Sequence, residues 1–163
     1  MTDGTGAVYR FYRDHGYQFH PLASFARLNG LAANGDEAAA ARLAAALVAR
    51  GVREGNALVW EYRFPYGGPS VWRSGFAQAA GAQALARAGE VLGDQKLFAA
   101  ARASFRAIPR DLTLRVGGGD WIQEYSYSDA AILNAQLRRG RSRPSRAPRS
   151  FATRSGATGR GRT

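Results

Sequence analysis

The 163-residue sequence has no cysteine, one methionine, two histidines and a single lysine, Lys96. Without cysteine, disulfides and thiolate chemistry are excluded, and nothing in the chain reports the redox compartment. His15 and His20 lie five residues apart with no acidic or histidine partner at ligand spacing, so no metal site is expected. No run approaches the roughly 18 uncharged apolar residues of a membrane span. Nor does the segment from Met1 to Tyr9 show a basic stretch followed by an apolar one, so no secretory signal is read there. Acidic residues are also few: 12 against 23 basic gives a formal net charge of +11.

That charge is unevenly placed. Residues 138–163 hold nine Arg and no Asp or Glu, leaving residues 1–137 with 14 basic against 12 acidic, a net of +2. The body is therefore nearly neutral, and its hydrophobic content of 45% for the whole chain is enough to bury one core. In the tail, Arg, Ser, Pro, Gly, Ala and Thr surround one large apolar residue, Phe151, a composition that cannot offset its ordering entropy. It is the kind of sequence that a shifted reading frame through GC-rich DNA encodes. Any nucleic-acid binding is expected to be non-specific and confined to it.

The body reads as helical hairpins. After an irregular or extended lead-in over residues 1–16, Pro21 opens a helix whose Leu22, Phe25, Leu28 and Ala32 share a face, stopping near Asn34-Gly35. Asp36 caps a second helix with Ala40, Leu43, Leu47 and Val48 in a stripe ending at Gly51. Leu58, Val59, Trp60, Tyr62 and Phe64 predict a short strand, and the following Pro-Tyr-Gly-Gly-Pro a loop. A third helix runs from Phe76 to Gly93, and Asp94 caps a fourth through Phe98, Ala101, Phe105 and Ile108 that Pro109 is expected to end. Two strands around Gly117-Gly118-Gly119 and a helix from Asp129 to Leu137 complete the pattern. The turns Gly35-Asp36 and Gly93-Asp94 lie 58 residues apart, which suggests a repeated unit of helical hairpin plus aromatic-rich excursion. The expected fold class is all-α, helical hairpins with short β excursions between them, stacked either as a superhelical solenoid or as a closed α/α toroid.

Chemistry concentrates in two aromatic runs, Trp60 to Tyr66 and Trp121 to Tyr127, each setting a carboxylate beside a phenol on a connection between helices. Flat rings among Arg, Glu, Asn and Gln suit sugars, whose C–H faces stack on aromatics; the alternative is that the rings close the ends of helical pairs. Ser24 and Ser74 lack a nucleophile signature, and neither glycine run is followed by the Lys and Ser/Thr of a phosphate loop.

The run Trp60-Glu61-Tyr62-Arg63-Phe64-Pro65-Tyr66-Gly67-Gly68-Pro69, with Trp72, Ser74-Gly75-Phe76-Ala77-Gln78, Trp121-Ile122-Gln123-Glu124-Tyr125 and Leu133-Asn134, resembles the C-terminal domain of D-glucuronyl C5-epimerases. The likeness covers residues 17–137. It implies an incomplete α/α toroid, helical hairpins forming an incomplete barrel, that binds an acidic, glucuronate-containing polysaccharide such as heparosan, with no cofactor. C5 of D-glucuronate would be deprotonated on one face and reprotonated on the other, giving L-iduronate. It further implies Tyr125 as the proton carrier partnered by Glu124, with Tyr62, Arg63, Tyr66, Trp72, Gln78, Trp121 and Asn134 contacting substrate. A tyrosine acting as a base needs a cation or shared hydrogen bonds to lower its pKa of about 10. Because six hairpins of about 58 residues need about 350 residues, the chain is expected to be a fragment, weak or inactive alone. A homo-oligomer and a non-catalytic glycan-binding or structural module stay open.

Overall fold

The computed structural model describes residues 1–132. Its elements are four helices and four antiparallel strand pairs. The first pair joins β1 (Tyr9–Tyr12) to β2 (Gly16–Phe19), with Tyr9 opposite Phe19 and Phe11 opposite Tyr17. Asp3 anchors the chain before it, accepting from the Thr5 and Ala7 backbone N–H groups and from Arg50 at 2.7 Å.

Helices α1 (Pro21–Ala33) and α2 (Glu37–Arg50) form the first hairpin, and α3 (Gly75–Leu92) and α4 (Gln95–Asp111) the second. Each start is capped by a side chain that takes an otherwise unpaired backbone N–H: His20, Asp36, Ser74 and Asp94. Both hairpin turns use a glycine with positive φ followed by the capping aspartate, Gly35 at 74° and Gly93 at 64°. The 58-residue spacing is thus two copies of one turn.

Each hairpin is followed by a β ribbon. β3 (Val52–Glu54) pairs with β4 (Ala57–Val59), and β7 (Thr113–Val116) with β8 (Gly119–Ile122). Between them, β5 (Glu61–Tyr62) pairs with β6 (Trp72–Arg73). The all-α expectation is therefore too narrow: short ribbons cap the helix ends, where aromatic and branched residues pair across strands.

The core lies between the hairpins. Phe25 of α1 packs on Gly81 of α3, where an added Cβ would sit 2.8 Å from the ring, and meets Trp60 edge-on at 4.7 Å. Trp60 donates its indole N–H to the Leu47 carbonyl at 2.7 Å. Two further sequence expectations change. Pro109 lies inside α4, which continues to Asp111, because so near the helix end its missing N–H costs little more than one hydrogen bond. Residues 129–132 carry no regular secondary structure, and the rest of the expected Asp129–Leu137 helix lies outside the described residues, as does the segment 138–163.

Candidate functional site

The register of β5 and β6 sets Tyr62 opposite Trp72, and their rings stack at 4.0 Å with 4° between planes. Trp72 donates its indole N–H to the Phe64 carbonyl at 2.9 Å, which folds the intervening loop back over the pair. Phe64 is buried in that fold, 4.3 Å from the ring of Tyr12. The loop then turns Tyr66 outward, half exposed at 50%, lying 6.1 Å from Trp72 at 24°.

A distant segment completes the cluster. The Ser126 N–H donates to the Arg73 carbonyl at 2.9 Å and Arg73 N–H returns a bond to Ser126 Oγ at 3.0 Å, so the residues after β8 run beside β6. Gly75 N–H also donates to the Gln123 carbonyl at 2.8 Å, an approach that a side chain at position 75 would block. Tyr125 consequently sits 5.5 Å from Trp72 and 6.2 Å from Tyr66, and Tyr127 packs edge-on to Trp72 while donating its hydroxyl to the Tyr66 carbonyl. Gly68 leaves room for the Tyr127 ring, which a Cβ there would overlap.

The electrostatics of this surface are those of neutral phenols. Burial, then the neighbouring Glu124 carboxylate, hold the Tyr125 hydroxyl above its ordinary pKa, and burial does the same for Tyr12 and Tyr127. Tyr62, buried and accepting a hydrogen bond from the Leu22 N–H at 3.4 Å, is raised further. Glu124 has one carboxylate oxygen, Oε2, shielded from solvent and without a hydrogen-bond partner among the described residues. Behind the rings lies a chain of ion pairs. Arg73 bridges Glu54 and Glu61, Arg110 pairs with Glu54 at 2.8 Å, and Arg63 pairs with Glu61 at 2.9 Å.

Of the residues singled out from the sequence, the fold brings Tyr62, Tyr66, Trp72 and Tyr125 into one cluster with Glu124 beside them. Gln78 is elsewhere, fully buried, with its amide donating to the Leu58 and Ser104 carbonyls and accepting from Trp60 N–H. Trp121, on β8 opposite Leu114, makes no ring contact with the cluster, and Arg63 is largely exposed on its ion pair. Asn134 lies outside the described residues. Sequence reasoning missed Tyr12 as a member; β1 precedes the first aromatic run by some fifty positions, and only the tertiary fold joins them. Phe64 and Tyr127 stand inside the quoted runs but carried no signal separating them from their neighbours. Among the described residues, no three His, Cys, Asp or Glu side chains gather as a metal site.

Comparison with solved structures places this arrangement of hairpins among α/α toroids. The chain superposes on endoglucanase Cel10, a family 8 glycosyl hydrolase from Klebsiella pneumoniae, at 15% identity and a TM-score of 0.61, over 78% of this chain and 42% of that one. The endo-β-1,4-glucanase CMCax from Acetobacter xylinum gives 18% identity and 0.61, over 78% and 40%. A family 8 endo-β-1,4-glucanase from an Achatina fulica gut metagenomic library gives 15% and 0.60, over 77% and 40%. At such identities the likeness is one of fold. The chain spans about two-fifths of the length of these structures.

No family model matches the sequence, and no curated protein matches it. The resemblance to D-glucuronyl C5-epimerases is corrected accordingly: the structures that share the fold are family 8 glucanases, and the isomerase reading, with its glucuronate-to-iduronate chemistry, falls with it. The site gives a physical reason in the same direction. A proton-abstracting Tyr125 requires a lowered pKa, whereas its surroundings raise it.

Proposed function

We propose that this chain is the glycan-holding part of a carbohydrate-active α/α-toroid protein, and that its ligand is a neutral polysaccharide of the β-1,4-glucan kind. The observation that carries this reading is the continuous surface of Tyr12, Tyr66, Tyr125 and Tyr127 over the buried Trp72, in which Tyr66 and Tyr125 lie 30° from parallel and Tyr66 is half exposed. Pyranose rings present C–H faces to such rings, and uncharged phenols suit a neutral sugar better than an acidic one. The glucanase activity of the structures that share the fold supports the choice of glucan. The unit doing this work is residues 17–137 of the sequence reading, extended by β1, with the Arg-rich residues 138–163 outside it.

Calorimetric titration with cellohexaose tests the reading. Binding is expected, weakened about tenfold or more, some 1.4 kcal/mol, by Tyr66→Ala. Heparosan should bind no better than cellohexaose. Absence of glucan binding by the folded protein, or binding indifferent to both Tyr66→Ala and Tyr125→Ala, overturns it.

A further inference from the structure

Strand β6 is two residues long and pairs in its sheet only with β5, itself two residues long. A ribbon that short is marginal on its backbone bonds alone, so side chains must hold it. On the side of the rings the Tyr62–Trp72 stack does so. Successive side chains of a strand point to opposite faces, so Arg73 and its cross-strand neighbour Glu61 face the other way.

There the Arg73 guanidinium forks onto the Glu54 carboxylate, Nη1 donating to Oε2 at 3.1 Å and Nη2 to Oε1, while Nη2 also donates to Glu61 Oε1 at 2.9 Å. The side chains of Arg73 and Glu61 are only 22% and 12% exposed, so their attraction is screened less than that of a surface pair. Glu54 in turn accepts from Arg110 of α4. Strand β6 is thereby tied both to the ribbon that follows the first hairpin and to the end of the second. The backbone of the same Arg73 exchanges two bonds with Ser126, which stands between Tyr125 and Tyr127. Arg73 therefore joins an ion-pair chain on one face of β6 to two rings on the other.

We propose that Arg73 is the positioning residue of the glycan surface: Glu54 and Glu61 clamp it from behind, β6 and Ser126 then hold Tyr125 and Tyr127 against Trp72, and this chain of charges, which touches no sugar, sets the affinity. The ligand is that of the glycan reading above, on which the inference rests, while the clamp can be read without any ligand. In the ligand-free chain, hydrogen exchange followed by NMR should show the Ser126 N–H protected. Arg73→Met and Glu54→Gln should each speed its exchange at least about tenfold, with circular dichroism showing the fold retained. Calorimetric titration should find cellohexaose bound at least about tenfold more weakly by Arg73→Met and about three- to fivefold more weakly by Glu54→Gln. Glu54→Gln should add nothing in an Arg73→Met background, because Glu54 acts through that guanidinium. Arg115→Met, which breaks the exposed pair with Asp120, should change neither exchange nor affinity. An ion pair that merely stabilised the chain would lower the urea midpoint and leave Ser126 exchange and the affinity of the folded protein where they were. Should Arg73→Met fail to fold, Glu54→Gln, which keeps the shape of its side chain, carries the test. Unchanged Ser126 exchange in the folded variants overturns the clamp, and faster exchange with undiminished cellohexaose affinity overturns its part in binding. A parent chain that binds no cellohexaose overturns the glycan reading instead, and the exchange result then decides the clamp by itself.

Discussion

At the scale of single residues, side chains singled out by the same resemblance take different roles. Burial commits Gln78 to the core, while Tyr125 stays partly exposed among the rings beside Glu124. His20 is the residue whose surroundings make the clearest demand on pH. It is 8% exposed, accepts the Ala23 N–H through Nδ1 at 3.1 Å as the cap of α1, and meets Tyr62 edge-on at 5.4 Å. Burial, then the charge of Arg10, lower its pKa to about 4. Protonation would turn the accepting nitrogen into a donor and break the cap. Because the folded pKa lies below the unfolded value near 6.5, the unfolded chain binds the extra proton between the two. Stability from this group is complete above about pH 6.5, falls as pH drops toward 4, and changes no further below that, with about 3 kcal/mol as its upper bound. Asp3 and Glu54 act in a lower window: burial raises Asp3, but its Thr5 and Ala7 hydrogen bonds and Arg50 outweigh it, and Arg73 lowers Glu54. Urea midpoints measured from pH 7 to 4 should therefore decline in the parent and flatten in His20→Asn, which keeps a capping acceptor without titrating there.

At the scale of elements, what the sequence made legible was local. Asp36 and Asp94 as caps, the glycines before them and three- and four-residue apolar spacing all act within a turn or two, and α1 to α4 formed where they pointed. Strand β3 escaped notice because three residues hold no readable alternation; it exists through the pairing of Val52 with Val59 around the Gly55 turn. Packing can also reverse a local preference. Ala is a better helix former than Gly by about 1 kcal/mol, so Gly81→Ala ought to stabilise α3. Its methyl would instead sit 2.8 Å from Phe25, which is fully buried and already in edge-on contact with Trp60. The substitution should destabilise by about 1–2 kcal/mol net, readable as a lower urea midpoint with unchanged slope, whereas Gly30→Ala, whose methyl meets nothing within 4 Å, should not.

At the scale of the whole molecule, charge and fold are separable. The +11 belongs mostly to residues 138–163, and the body is nearly neutral. Deleting residues 138–163 should abolish retention on immobilised duplex DNA, a retention that in the full chain falls steeply with salt, while leaving cellohexaose affinity within about twofold. Equal DNA retention by the shortened chain would place the nucleic-acid contact on the body instead.

The sequence by itself determined the helical hairpins and the Asp36 and Asp94 caps, because each depends on groups a few residues apart in one element. It also marked two aromatic runs as the place where a site would form. Only the tertiary structure decided which of those rings share a surface. Tyr12, Tyr66, Trp72 and Tyr125 come from three separated segments, brought together by the β5–β6 register, the Arg73–Ser126 bonds and the close approach at Gly75. It likewise sets the surroundings of Tyr125, whose hydroxyl burial and the neighbouring Glu124 carboxylate hold above its ordinary pKa, since a pKa depends on burial and on charge in space that no local spacing displays.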